Sequence, residues 1–186
     1  MSSFRLYLMR HGETALAGKL VGHHDCEALP HGISACANRA RALGLGKVRL
    51  ISSDLKRASA CAAAIGTPTL DPRWRELDFG QWDGLATSQI NAERLTHFWD
   101  DPDASPPPGG ERWSALVARV AEAIAALSSE PTLVVTHGGA MRAALHCLCG
   151  FSIAQTWAFD LPCASVLALS VWHGGPRRAQ VTGLWA

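Results

Sequence analysis

Short apolar segments alternate with helical patterns along this chain of 186 residues, and that alternation constrains its fold more than any other feature. Compact apolar runs bounded by charged or turn residues predict buried strands at 4–9, 48–52, 67–70, 132–136, 164–172 and 179–185. Apolar residues at helical spacing predict helices over 32–43, 55–65, 85–99, 112–127 and 138–149. This order predicts an α/β fold, a three-layer sandwich with a mainly parallel central sheet flanked by helices.

Turn residues punctuate the pattern. Three consecutive prolines make 100–111 a loop, because proline cannot continue a helix, and Gly174-Gly175-Pro176 predicts the turn between the last two strands. The length is that of one ordinary domain, so residues 1–186 are expected to form a single domain.

The charge balance excludes some classes of partner. Lys plus Arg is 17 and Asp plus Glu is 16, which argues against nucleic acid as a partner, since such proteins usually show a basic excess. No apolar run reaches the roughly 18 residues of a membrane helix, and the N-terminus lacks the pattern of a signal peptide. No membrane association is therefore expected, the cytoplasm is the expected compartment, and a homodimer stays an open alternative.

Cysteines and a His-rich run could suggest disulfides or a metal. Of six cysteines, three lie in Ala-rich helical patterns, where free Cys packs as a small apolar residue: Cys36, Cys61 and Cys147. His23, His24, Asp25 and Cys26 are adjacent, and adjacent residues rarely point at one ion. The cysteines are expected to be reduced and structural, and no metal site is expected.

Polar clusters follow three of the predicted strands: Arg10-His11-Gly12, Ser52-Ser53-Asp54 and His137-Gly138-Gly139. In α/β sheets ligands bind beyond the carboxyl ends of the strands, so these clusters are expected to meet at one sheet edge.

The chemistry of these clusters suits a phosphoryl group. Two imidazoles (His11 and His137), two guanidiniums (Arg10 and Arg57) and the helix N-terminus at Gly138 would surround one spot. Each has a plainer alternative: a lone histidine there is often only a hydrogen-bonded structural residue, and Arg57 could form a solvent-facing salt bridge.

Four ordered blocks carry a family resemblance: LMRHGET (8–14), SSDLKRASACA (52–62), RELDFGQWDG (75–84) and VVTHGG (134–139). Together they resemble the histidine phosphatase superfamily, also called phosphoglycerate mutase-like, over almost the whole chain. The resemblance implies phosphoryl transfer without metal or cofactor, through a phosphohistidine, on a small phosphorylated metabolite.

Roles for individual residues follow from that resemblance. His11 would be the nucleophile, while Arg10, Arg57, His137 and Gly138 would bind the phosphoryl oxygens and offset their charge. Glu76 would protonate the leaving alkoxide and then activate water. The residues alone would make Glu76 an ordinary surface carboxylate.

Later segments resemble one branch of the superfamily. LDFGQWDG (77–84) and PPPGGERW (106–113) look like the bacterial α-ribazole phosphatases, and the segment 77–111 is expected to cover the site. The leading hypothesis is hydrolysis of α-ribazole 5′-phosphate, or of cobalamin 5′-phosphate, in cobalamin biosynthesis. The alternatives are a broad-specificity small-molecule phosphatase, a phosphoglycerate mutase and an inactive regulator that binds phosphorylated ligands.

Two positions depart from the family pattern. Ala17 stands where many members have Asn, and Leu29-Pro30-His31-Gly32 is one residue shorter than the usual motif. Trp82, His97 and Trp99 could line a leaving-group pocket or pack in the core, and His23, on the loop after the first strand, could form a polar contact.

Overall fold

The computed structural model describes residues 2–173 and 176–186. Its strands are β1 (Ser3–Arg10), β2 (Arg49–Ser52), β3 (Thr69–Leu70), β4 (Thr132–Thr136), β5 (Val166–Trp172) and β6 (Ala179–Trp185). Its α-helices are α1 (Pro30–Ala42), α2 (Lys56–Ala63), α3 (Ala92–Asp100), α4 (Trp113–Ala125), α5 (Gly138–Cys149) and α6 (Ile153–Thr156). Short 3-10 turns occupy Pro72–Trp74, Gly80–Trp82 and Thr87–Gln89.

The strands form one sheet in the order β3-β2-β4-β1-β5-β6. Neighbouring strands from β3 to β1 are parallel, whereas β5 runs antiparallel to both β1 and β6. The mainly parallel sheet is therefore confirmed. The arrangement brings the carboxyl ends of β1, β2 and β4 side by side, with Arg10 paired to Thr136 and Ser52 to Val135.

Both faces of the sheet are covered, which confirms the three layers. On one face, side chains such as Met9 pack with Cys36 of α1 and Cys61 of α2. On the other face, Leu8 packs with the core that includes residues of α4 and α5. The alternation of Leu8 and Met9 between the two cores follows from the two-residue period of a strand.

A close backbone contact fixes the loop that follows β1. Helix α1 begins at Pro30, a residue suited to a first helical turn, and brings Gly32 against Gly12. A Cβ on Gly12 would lie 2.2 Å from the carbonyl oxygen of Gly32, so only glycine fits there. This contact, with the hydrogen bond from Gly12 N to Cys61 Sγ (3.2 Å), holds the backbone beside His11.

One predicted helix is wrong in its first half. Within 85–99, the structure has the 3-10 turn Thr87–Gln89 and then α3, which starts at Ala92. Asn91 caps that helix by accepting a hydrogen bond from Arg94 N, and a capping residue lies outside the helix it caps. The short helix α6 was not predicted. The predicted turn at 174–176 includes Gly174 and Gly175, which lie outside the described residues.

Two other expectations concern the whole chain. All six cysteines are free. Within residues 2–173 and 176–186, no helix combines the length and the apolar character that crossing a membrane requires. The single-domain organisation stays a prediction.

Candidate active site

Polar residues gather where β1, β2 and β4 end. His11 follows β1 and its backbone N donates to Thr136 O at 2.9 Å, which ties it to the end of β4. His137 follows β4, and its ring centroid lies 5.1 Å from that of His11. The structure thus brings together two histidines that are 126 positions apart in the sequence.

His11 is held in a defined orientation. Its Nδ1 lies 2.7 Å from Gly12 O. Because a carbonyl oxygen only accepts, Nδ1 carries the proton and Nε2 keeps its lone pair. Burial, followed by the positive charge of Arg57 and then that of Arg10, lowers the pKa of His11 to about 3. The ring is therefore neutral at neutral pH and keeps only 8% of its surface exposed.

His137 is completely buried beside it. Its Nε2 lies 2.9 Å from Ser53 Oγ, so the polar cluster after β2 positions this ring. Burial and the nearby positive charge of Arg57 hold the pKa of His137 well below its ordinary value.

The two arginines of the site are anchored by backbone carbonyls. Arg10 Nη1 donates to Leu161 O at 2.7 Å. Arg57 is fully buried and donates to Gly22 O (2.6 Å) and His24 O (3.0 Å) of the loop after β1. The solvent-facing alternative for Arg57 is wrong, because the second residue of α2 points inward under that loop.

Several buried nitrogens around His11 have no hydrogen-bond partner among the described residues. In the part of the chain that the structure describes, Arg10 Nε, Arg57 Nε and His137 Nδ1 are buried and form no hydrogen bond. A buried polar nitrogen without a partner is costly, and nearly all such atoms in folded proteins form a hydrogen bond. Two of these groups are cationic, so an anion satisfies them best.

Glu76 lies across the N-terminus of α5. Its carboxylate accepts hydrogen bonds from Leu77 N (2.9 Å) and Gly139 N (3.1 Å). A Cβ on Gly139 would lie 2.1 Å from Glu76 Oε1, so glycine leaves room for the carboxylate. A Cβ on Gly138 would lie 3.8 Å from Arg10 Cζ and 3.9 Å from Glu76 Oε2, which puts Gly138 between the guanidinium and the acid.

Arg119 of α4 holds the backbone that carries Glu76, and sequence reasoning missed it. Its guanidinium donates to Arg75 O and Glu76 O, both at 2.7 Å, and pairs with Glu111 Oε1 at 2.7 Å. Nothing in a helical pattern distinguishes such an arginine from one that faces solvent.

An apolar cavity of about 180 Å³ opens beside Glu76, Arg10 and Gly138. Its lining includes four aromatic rings, those of Phe98, Trp99, Trp113 and Trp157. The rings of Trp99 and Trp157 meet edge to face, with centroids 5.4 Å apart. The segment 77–111 supplies five of the lining residues: Leu77, Phe79, Phe98, Trp99 and Pro102.

The four side chains whose roles the sequence leaves open have different surroundings. Trp99 lines the cavity, whereas Trp82 is buried in the core edge-on to Phe98. His97 is exposed and lies outside the cavity lining. His23 donates from Nε2 to Glu76 O at 3.0 Å, so it supports the backbone of the acid.

The His-rich run 23–26, which could suggest a metal site, has other contacts. Asp25 accepts from Lys56 N while His23 turns to Glu76, so the run 23–26 points to different partners. Among residues 2–173 and 176–186, no group of three His, Cys, Asp or Glu side chains could hold a metal ion. Ala17, at the position where many members of the family are expected to have Asn, is exposed.

Sequence reasoning also missed Arg142 and Trp157, which line the cavity. Arg142 lies four residues after Gly138, so helical spacing puts both on one face of α5 and could have revealed it. Trp157 follows the short helix α6, and no local pattern in the sequence connects it with the site.

Comparison with known proteins adds independent information. The model of the histidine phosphatase superfamily (branch 1) matches residues 6–182. The glucosyl-3-phosphoglycerate phosphatase of Mycobacterium tuberculosis is 31% identical, over 100% of this chain and 88% of the relative. The adenosylcobalamin/alpha-ribazole phosphatase of Escherichia coli is 28% identical, over 89% of this chain and 90% of the relative. The solved structure of a mycobacterial glucosyl-3-phosphoglycerate phosphatase superposes with a TM-score of 0.83 at 28% identity, covering 97% of each chain.

Proposed function

Because the chain belongs to the histidine phosphatase superfamily and is a phosphatase, we propose that it hydrolyses phosphomonoesters through a phosphohistidine formed on His11. The observation that carries this proposal is the set of unpartnered nitrogens around a neutral His11. Arg10, Arg57 and His137 each keep one buried nitrogen unsatisfied beside that ring. A phosphoryl group would accept hydrogen bonds from all three.

The first step uses the lone pair of His11. Its Nε2 attacks phosphorus while Nδ1–H stays bonded to Gly12 O, so the ring does not rotate away. The bond from phosphorus to the ester oxygen breaks as the N–P bond forms. Arg10 and Arg57 offset the charge on the equatorial oxygens during this transfer.

Glu76 supplies the proton for the departing oxygen. Its carboxylic acid form protonates the leaving alkoxide, and the resulting carboxylate then takes a proton from water. That water attacks phosphorus, breaks the N–P bond and releases inorganic phosphate with His11 regenerated. The hydrogen bonds from Leu77 N and Gly139 N keep the carboxyl group at the cavity wall for both steps.

Two substrate candidates follow from different observations. The aromatic rings of the cavity support a leaving group with a planar ring, as in α-ribazole 5′-phosphate, and the Escherichia coli relative carries that substrate in its name. The identity of 31% to the mycobacterial relative over the whole chain supports glucosyl-3-phosphoglycerate. A panel containing both compounds and generic sugar phosphates ranks them directly.

The decisive experiment replaces the nucleophile. His11→Ala should reduce phosphate release by at least about 10⁴-fold, the size of effect typical of a lost nucleophile. It should also abolish the acid-labile phosphoenzyme that the wild-type protein forms with a reactive phosphomonoester. His97→Ala, a change at an exposed histidine outside the cavity, should leave both signals unchanged.

Other outcomes identify the alternatives. Undiminished activity of His11→Ala would remove His11 from the mechanism. Phosphoglycerate isomer exchange that exceeds hydrolysis would indicate a mutase. The absence of any phosphoenzyme would indicate a regulator that binds phosphorylated ligands.

Several expectations stay predictions from the sequence: a small phosphorylated metabolite as partner, no nucleic acid, the cytoplasm as compartment and a possible homodimer.

A further inference from the structure

Arg142 lines the cavity, and the proposed reaction steps do not involve it. It lies on α5 one helical turn after Gly138, and it lines the same cavity as Glu76 and Arg10. Its guanidinium carbon lies 4.1 Å from the centre of the Trp157 ring. The guanidinium is thus packed on an aromatic face with its edge left for another contact.

That edge has no partner among the residues that the structure describes. Within residues 2–173 and 176–186, Arg142 takes part in no ion pair, and its Nη1 is buried without a hydrogen-bond acceptor. A buried cationic donor that lacks an acceptor is unfavourable, and a stacked tryptophan supplies no acceptor oxygen. The cavity that Arg142 faces is where the leaving group of the substrate would lie.

We propose that Arg142 binds a carboxylate on the leaving group, so that the preferred substrates are phosphomonoesters of short hydroxy acids. This inference rests on the proposed function, because it assumes that Arg10 and His11 bind the phosphoryl group. A single guanidinium pairs with a carboxylate through two parallel hydrogen bonds. Burial lowers the pKa of the Arg142 guanidinium, and the negative charges of Glu76 and Asp160 partly oppose that effect.

The spacing along α5 agrees with a short acid. Four residues of helix separate the backbone of Gly138 from that of Arg142 by about 6 Å. Long side chains on a helix point back toward its N-terminus, which brings the guanidinium nearer to the phosphoryl position. A carboxylate two or three carbons from the phosphate ester would bridge that distance.

This subsite separates the two substrate candidates. A glycerate carries a carboxylate close to its phosphate ester, whereas α-ribazole 5′-phosphate has no anionic group besides the phosphate. Arg142 therefore favours the hydroxy-acid candidate, with the aromatic rings contacting the rest of the leaving group.

A matched pair of substrates tests the proposal. 3-Phosphoglycerate and glycerol 3-phosphate differ only in a carboxylate that replaces a hydroxymethyl group. The wild-type protein should prefer 3-phosphoglycerate in kcat/KM. Arg142→Gln should reduce that kcat/KM by about 10- to 100-fold, as expected for one charged hydrogen-bonded pair, and should change glycerol 3-phosphate turnover by less than about threefold. Arg94→Gln, at an exposed residue of α3 outside the cavity lining, should change neither value.

Binding to an inactive protein gives a readout that does not depend on turnover. The affinity of His11→Ala for 3-phosphoglycerate, measured by calorimetry, should fall by a similar factor when Arg142→Gln is added. Equal losses for the two substrates, or a wild-type protein with no preference for the carboxylate, would overturn the anion subsite. Failure of the phosphohistidine experiment with this affinity difference intact would instead overturn the proposed function.

Discussion

The proposed site has two ends that are built in opposite ways. The phosphate end surrounds His11 and His137, which lie outside the cavity lining, and the leaving-group end consists of the aromatic rings that line the cavity. At the phosphate end, His11 and His137 follow directly after β1 and β4, and contacts with Gly12 O and Ser53 Oγ hold their rings. At the leaving-group end, the rings come from α3, α4 and the turn after α6, which are distant from one another in the sequence. His137 is fully buried, whereas Trp99 keeps 42% and Trp157 keeps 50% of its surface exposed.

The difference separates the chemistry from the selectivity. The phosphate end consists of charged and polar groups whose positions depend on the sheet, so a change there should disturb the reaction of every substrate. The leaving-group end includes two exposed rings, Trp99 and Trp157, whose replacement should alter only what the cavity accepts. Glu76 and Arg142 lie at the boundary, because both line the cavity beside the N-terminus of α5.

Glu76→Gln should produce the largest effect at this boundary. The amide keeps the shape of the side chain but cannot transfer a proton, so kcat for alkyl phosphates should fall by about 10²- to 10⁴-fold. With p-nitrophenyl phosphate, whose leaving group needs no proton, the variant should release one rapid equivalent of nitrophenolate and then turn over slowly. Quenched-flow measurement of that burst, with isolation of the phosphohistidine, checks the prediction.

The matched control is Glu93→Gln, at an exposed carboxylate in the first turn of α3. It should retain wild-type kcat with both kinds of substrate. A uniform loss in Glu76→Gln for alkyl and nitrophenyl esters, without accumulation of phosphoenzyme, would show that the side chain acts on binding and not on proton transfer.

The same division explains what the sequence could predict. The strand pattern places His11 and His137 at one edge, because parallel strands share their carboxyl ends. Glu76 follows the short 3-10 turn Pro72–Trp74, where no periodicity marks a residue, so only the family resemblance identified it. The roles of these residues stay predictions that the experiments above test.

The sequence alone does not predict which aromatic residues line the cavity. Trp82 and Trp99 looked equivalent in the sequence, yet one is core and the other lines the cavity. The first half of the predicted helix over 85–99 is wrong for a similar reason. Its apolar residues fit a helical period, but the helix begins only after the Asn91 cap. Local patterns do not report which distant ring a side chain will meet.

Trp157→Ala should affect only the leaving-group end. It removes a ring that packs on Trp99 and supports the guanidinium of Arg142, so KM for 3-phosphoglycerate should rise about tenfold, as expected for one lost cation–π or stacking contact. The value of kcat should change by less than about twofold. Trp157→Phe should recover much of the loss, and Trp185→Ala, at an exposed tryptophan on β6, should have no effect. Steady-state kinetics that show a lower kcat at unchanged KM would contradict this division of roles.

The smallest expected effect concerns the phosphate end, where His11 should make the stability of the protein depend on pH. The pKa of His11 is about 3 in the folded protein, against about 6.5 in an unfolded chain. Below pH 6.5 the unfolded chain binds a proton that the folded protein does not, so stability falls as the pH drops from 6.5 toward 3. The slope is at most about 1.4 kcal/mol per pH unit for one histidine, or about 3 °C in Tm per pH unit for a chain of this size.

His11→Gln removes this group and should reduce the slope of Tm between pH 6 and pH 4.5 by up to about 3 °C per pH unit. His97→Gln, at an exposed position, should leave the slope as it is in the wild type. Equal slopes in all three proteins would mean that His11 takes up a proton in the folded state, and the phosphate end would then be far more accessible to water than its burial indicates.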